Sequence, residues 1–129
     1  MYYYTNNLKH SRSKIVAFNK MNKYPFFVDQ HSDYMKISKS GTYEIIYTDF
    51  YRGHGTIVLY DETNDTDLTR VKLVGTSGYE PFTFHSIFQI NLTDVHDHNE
   101  ISIFYETTRT TVDFFGGEAS TFYIKYLHD

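Results

Sequence analysis

A chain of 129 residues with 13 Tyr, 11 Phe, no Trp and no Cys, carrying 12 Lys+Arg against 16 Asp+Glu for a net charge of −4, has the size of one domain and enough surface to bury for folding without staples. The missing cysteines exclude disulfides, thiolate metal sites and thiol nucleophiles together. A mildly acidic balance without a basic run excludes the electrostatic footprint of nucleic-acid binding and argues against docking on an anionic membrane, and no apolar stretch approaches the roughly 18 residues of a transmembrane helix, so membrane insertion is not expected.

Taken in chain order, residues 1–13 are polar and tyrosine-rich without a helical period. They are expected to form a flexible N-terminal arm, with the folded domain spanning residues 14–129. Met1 to Asn7 shows no basic-then-apolar leader pattern. Ser13 to Asn19 is rich in β-branched and aromatic residues, Phe26 to Val28 is a short apolar run after Pro25, and Tyr34 to Ile37 alternates before the turn Ser38-Lys39-Ser40-Gly41. Thr42 to Tyr51 is the longest strand signal, and Thr56 to Tyr60 follows the Gly53-His54-Gly55 punctuation. Asp61 to Asp67 is a polar acidic loop. Leu68 to Val74, Thr83 to Leu92, Glu100 to Glu106 and Ser120 to Leu127 complete the series. Short strands at roughly ten-residue spacing with turn residues between them specify an all-β sandwich or barrel, and no window carries a 3.6-residue period.

Period-two patterning places Tyr43, Ile45 and Tyr47 on one face of the long strand, with Thr42, Glu44, Ile46 and Thr48 opposite. In the last strand Phe122, Ile124 and Tyr126 share a face, with Thr121, Tyr123, Lys125 and Leu127 opposite. Both faces carry apolar groups, where a lone sandwich leaves one face plainly polar. The second face is therefore expected to be covered by another copy of the chain.

Three segments could bear chemistry. Asp61, Asp65 and Asp67 supply carboxylates of the kind calcium takes, but the loop lacks the Gly and closing Glu of an EF-hand and reads better as a polar hairpin connection. His96 and His98, two apart, fall on one side of an extended segment and could hold a divalent ion with Asp97 or Glu100; with no third fixed ligand identifiable, the competing reading is a solvated loop. Phe114-Phe115-Gly116-Gly117 forms an aromatic-tipped loop suited to ligand contact or to a tight turn. For catalysis the sequence offers little. Ser86 beside His85 is the one adjacent Ser–His pair, neighbours in a strand point to opposite faces, and no Gly-x-Ser-x-Gly elbow exists. The chain is expected not to be an enzyme and to need no cofactor, with calcium the one metal ion its loops suggest as a candidate.

Tyr34 to Tyr47 (apolar strand, small turn, Gly41, Tyr43, alternating strand), Ser86 to Leu92 followed after a polar loop by Glu100 to Tyr105, and the C-terminal Ser120-Thr121-Phe122-Tyr123-Ile124-Lys125-Tyr126-Leu127 together resemble the C1q/TNF-like jelly-roll superfamily. In order and spacing the resemblance covers roughly Lys14 to Leu127. Asp94 to Asn99 stands where the family has a Gly-Asp turn, Tyr123-Ile124 stands where Gly often follows the Ser-Thr-Phe start, and no collagen-like stalk precedes the domain. These departures fit bacterial, phage or viral heads better than the animal C1q branch. The resemblance implies a two-sheet antiparallel jelly roll of eight to ten strands. It also implies assembly into a homotrimer around aromatic and aliphatic side chains, with Tyr43, Tyr47, Tyr105, Phe122 and Tyr123 as candidates for the inner core or the trimer axis. Such a head is expected extracellularly or on a virion, phage or spore surface, binding a protein or glycan receptor. The alternative is a structural subunit of a fibre or shell joined by its N-terminal arm or by strand exchange.

Overall fold

The computed structural model describes residues 2–5, 12–16, 25–31, 33–75, 78–94, 97–106, 113–115 and 120–129. They form eleven strands and no helix: β1 (Tyr2–Thr5), β2 (Arg12–Val16), β3 (Val28–Gln30), β4 (Met35–Ile37), β5 (Gly41–Arg52), β6 (His54–Asp61), β7 (Thr66–Val74), β8 (Glu80–Ile90), β9 (Asn99–Glu106), β10 (Asp113–Phe114) and β11 (Thr121–His128). The count exceeds the expected eight to ten because the tyrosine-rich start contributes β1 and a two-residue strand, β10, precedes the closing strand. All pairings are antiparallel, and the strands divide into two sheets, so the fold is an antiparallel β-sandwich.

In the first sheet β9 is the spine. β6 pairs along one edge of it, from Asp61↔Ile101 to Thr56↔Glu106, and β7 pairs with β6. The other edge of β9 is shared by β4 near Asn99 and β2 near Glu106, with β3 and β1 outside them. Parts of the segment expected to be a free arm are thus sheet strands: Tyr2–Thr5 pairs with Ser13–Val16, and Arg12–Lys14 pairs with β9. The physical reason is that a run of tyrosines fits a pleated surface well. In the second sheet β5 is central, with β8 along one edge over eleven residue pairs and β11, then β10, along the other. The β6–β7 hairpin stays within the first sheet; the steps from β4 to β5, β5 to β6, β7 to β8, β8 to β9 and β9 to β10 all cross between sheets.

The core fills with the inward residues of both sheets. Tyr43, Ile45, Tyr47 and Tyr51 from β5 meet Ile57 and Leu59 from β6, Phe84, Phe88 and Ile90 from β8, Ile101, Ile103 and Tyr105 from β9, and Phe122 and Ile124 from β11. Aromatic rings are grouped toward the two ends of the sandwich. Tyr43 packs with Phe88, Tyr126 and Phe27 at ring-centre distances of 5.8, 5.4 and 6.2 Å. Tyr47 lies edge-on to Phe82 at 5.1 Å and beside Phe122 at 6.4 Å. One close approach dictates a glycine. A side chain at Gly55 would collide with the ring of Tyr105, whose hydroxyl donates to the His54 carbonyl in the same turn of chain.

β8 begins at Glu80 and includes Pro81, opposite Phe50. Proline is disfavoured inside a sheet because it has no N–H to donate. It fits the strand because β8 is an edge strand, paired with β5 alone, and an edge tolerates a missing donor.

Candidate functional site

The outer face of the second sheet follows from its alternation. With the odd-numbered residues of β5 turned inward, the even-numbered ones face out and line up with outward residues of β11 and β8. One row reads Tyr123–Ile46–His85, the next Lys125–Glu44–Ile87, and on the other side Thr121–Thr48–Thr83, then Phe50–Pro81. The centre of the face is apolar and partly bare: Ile87 is 57% exposed, Phe50 40% and Tyr123 39%, while Ile46 is half-buried. Threonines and charged groups surround these residues, and the Thr48 and Thr121 hydroxyls bond to each other across the strands.

Glu44 organises the polar part of this face. Its Oε2 lies 2.7 Å from His85 Nε2, and its Oε1 accepts the Tyr123 hydroxyl at 3.0 Å. The hydrogen bond from His85 and then that from Tyr123 hold the Glu44 carboxyl below its ordinary range, while the acceptor carboxylate pushes the Tyr123 phenol up. A carboxyl whose folded pKa is depressed contributes stability above its ordinary value of 4.5, and that contribution disappears as pH falls through the folded value. Glu44→Gln is therefore expected to lower stability modestly at neutral pH and to flatten the acid limb, the two curves converging once pH falls below the folded value. Urea unfolding at stepped pH measures this, and superimposable acid limbs would show that the Glu44 carboxylate contributes nothing.

At the β10 end the face continues into an aromatic cluster. Arg52 sits 4.9 Å over the Tyr79 ring, Tyr79 lies edge-on to Phe115 at 5.5 Å, and the Phe115 N–H donates to the Phe50 carbonyl at 2.9 Å. Phe115 is 64% exposed and Tyr79 42%. Arg, Tyr and Phe in contact have the composition of binding hot spots. Of the expected contact loop, Phe115 alone fits that role among its described residues. Phe114 is half-buried and packs on Phe82 and Tyr105 at 5.9 and 5.6 Å, so it seals the core edge. Gly116 and Gly117 lie outside the described residues.

The other candidates sort by the same geometry. Tyr43, Tyr47, Tyr105 and Phe122 are core residues, at most 5% exposed, and Tyr123 faces outward. Asp61 is buried and its carboxylate is fully engaged: Oδ1 accepts the N–H groups of Thr63 and Asn64 at 3.0 and 3.1 Å, and Oδ2 accepts the side-chain amides of Asn64 and Asn99 at 2.8 and 3.1 Å. That is a turn cap joined to the neighbouring loop, not a calcium ligand. Asp65, in a left-handed conformation (φ 51°), takes the Tyr60 hydroxyl, and Asp67 pairs with Arg70 at 2.8 Å. The three carboxylates expected to converge on one ion are thus each committed elsewhere. His98 is half-buried, and His96 lies outside the described residues. Among the described residues no three His, Cys, Asp or Glu side chains are grouped to hold a metal ion. His85 faces out toward Glu44, whereas Ser86 is buried and bonds the Thr69 hydroxyl, so this adjacent pair is split between the two faces of β8.

Sequence reasoning missed Phe50, Arg52, Tyr79 and Ile87 as surface residues. The signal for Ile87 and Phe50 was present, since both sit out of phase with the inward residues of their strands. Arg52, Tyr79 and Phe115 come from three separate segments, and nothing local announces their meeting.

No family model matches the chain, and no curated protein matches it. No helix among the described residues is long and apolar enough to cross a membrane.

Proposed function

We propose that this chain is a non-enzymatic recognition head of the C1q/TNF-like jelly-roll kind, assembled as a homotrimer and binding a protein or glycan receptor at a virion, phage or spore surface. The observation that carries the reading is the outer face of the β8–β5–β11 sheet. Ile87, Tyr123, Ile46 and Phe50 present an apolar strip to solvent in a lone chain, and a second and third copy of the same face would bury it. The connectivity supports the jelly-roll reading: β5 pairs with β8 and β11 in one sheet while β4, β6 and β9 join in the other, so the chain repeatedly changes sheets. The resemblance in the sequence runs through these same strands, and it is the resemblance that favours three copies over two.

The fibre alternative draws on one feature. β1 is the outermost strand at its end of the first sheet, added through β2, and an edge of that kind can be donated to or completed by a neighbour.

Light scattering of the full chain in solution tests both readings. The head is expected at three times the 15.3 kDa chain mass with no dependence on the N-terminal strand. Polymers that vanish when residues 1–5 are removed would favour the fibre. A clean monomer across the accessible concentration range would overturn the proposed assembly.

A further inference from the structure

At the end of the sandwich where β4 turns into β5 and β8 leaves for β9, a cleft of about 390 Å³ is lined by Ser38, Lys39, Ser40, Leu92, Thr93 and Asp94. That volume falls at the lower end of the range for small-ligand sites, roughly 300–1,000 Å³. Its walls are tied in place. The Leu92 N–H donates to Ser40 Oγ at 2.8 Å and so fastens the β8–β9 loop to the β4–β5 turn. The Tyr43 hydroxyl, anchored in the core, donates to the Lys39 carbonyl at 2.6 Å. On the opposite wall Thr93 Oγ1 donates to Asp97 at 2.8 Å, and the Asp97 N–H donates to the Asp94 carbonyl at 3.0 Å. The Lys39 ammonium rests over the rings of Tyr126 and Phe27 at 4.4 and 5.1 Å.

A second feature borders this frame. The turn Pro25–Val28, closed by a Val28 N–H bond to the Pro25 carbonyl at 2.9 Å, is fastened to the cleft because the Phe27 carbonyl accepts the Ser38 N–H at 3.0 Å. At its tip stands Phe26, 94% exposed, with its ring centre 5.1 Å from that of Phe27. So bare a ring contributes almost nothing to the core. It supplies a flat apolar platform on the turn that the Phe27 carbonyl fastens to Ser38 of the cleft.

These groups select a ligand by chemistry. Serine and threonine hydroxyls both donate and accept, Lys39 donates, and Asp94 accepts. A polyol, each of whose hydroxyls does both, matches such a mixture. The two formal charges cancel, so an anion attracted by Lys39 meets Asp94. The C–H face of a sugar ring matches an exposed phenyl ring.

We propose that this cleft is a binding subsite for a neutral glycan, with one sugar ring stacked on Phe26 and its hydroxyls bonded by Ser38, Lys39 and Asp94. The inference rests on the reading of the chain as a recognition head and gives that head its ligand class. The test applies the full chain, Phe26→Ala, Phe26→Tyr and Ser38→Ala to an array of immobilised neutral, carboxylated and sulfated oligosaccharides, with light scattering on the same samples. The wild-type chain is expected to bind neutral oligosaccharides, Phe26→Ala to bind roughly tenfold more weakly, Ser38→Ala to weaken binding as well, and Phe26→Tyr to bind like wild type. Binding to no neutral oligosaccharide, binding to anionic ones alone, or an unchanged Phe26→Ala would overturn the subsite. A trimer that binds no glycan sinks this inference and leaves the assembly standing. A monomer that binds neutral glycans through Phe26 sinks the assembly and leaves the subsite standing.

Discussion

Replacing Tyr47 with alanine is expected to lower the unfolding free energy by about 3–5 kcal/mol, the range for removing a large aromatic side chain from a packed core. Tyr47 is fully buried in β5, its ring lies edge-on to Phe82 and beside Phe122, and its hydroxyl donates to buried Asp49 Oδ2 at 3.1 Å. Two losses therefore combine: the cavity left by the ring and the hydrogen bond to a carboxylate. Tyr47→Phe separates them, since it keeps the ring and is expected to cost about 1.5–3 kcal/mol, the scale of a bond to a charged group. Against a usual total of about 5–15 kcal/mol for a domain, Tyr47→Ala brings the protein near the edge of folding. Urea denaturation of the three proteins reads both steps, and near-equality of Tyr47→Ala with wild type would mean that the core does not close around this ring.

The same residue predicts an alkaline limit. Burial first, then the Asp49 charge and its hydrogen bond, push the Tyr47 phenol well above the ordinary tyrosine value of 10.0. A raised pKa contributes stability that is complete below the ordinary value and is lost as pH rises through the folded one. Tyr47 is therefore expected to ionise only together with unfolding, and Tyr47→Phe to move the alkaline transition upward relative to its neutral-pH stability. Burial raises the Tyr43 phenol in the same direction.

How much of this was legible in the sequence differs from element to element. The strands β5 and β8 were readable because each alternates over eight or more residues, and the shorter alternation of β11 from Thr121 to Lys125 separated Tyr123 from Phe122; β9, buried on both faces from Ile101 to Tyr105, was readable by its β-branched and aromatic content. Which face of β5 turns inward was not readable. Tyr43-Ile45-Tyr47 and the set containing Ile46 both offer apolar groups, and the choice is made by packing against Ile57, Leu59 and Ile103 of the other sheet. Phe114 and Phe115 look equivalent as adjacent rings; the short pairing of Asp113–Phe114 with Tyr51–Arg52 turns one toward Tyr105 and leaves the other bare. Asp61 resembled a metal ligand because composition shows carboxylates but not their partners. Its decisive contact, the Asn99 amide, lies 38 residues away. The cleft between Ser38 and Asp94 was invisible for the same reason: the Ser40–Leu92 bond that joins its two walls links residues 52 apart in the chain.

The largest effect on assembly is expected from Ile87→Lys, which should convert a particle of three chains into single chains without unfolding them. Ile87 is 57% exposed in β8 and stands directly opposite Glu44 in β5. Within one chain a lysine there faces a carboxylate across the strands, a pairing worth roughly 0.2–1 kcal/mol in favour of the fold. Between chains the same change removes an apolar side chain from the proposed contact and forces three ammonium groups toward one another, a desolvation cost on the order of several kcal/mol per ion. The two effects have opposite signs, which makes the variant diagnostic: folding is retained while association is lost. Val74→Lys, at a position 65% exposed in β7 of the first sheet, introduces the same charge on a strand away from the contact and is expected to leave the mass at three chains. Light scattering and circular dichroism on the two variants read assembly and fold separately. If Ile87→Lys stays trimeric while the Val74 variant dissociates, the contact lies on the first sheet and the β8–β5–β11 face is not the one that meets its copies.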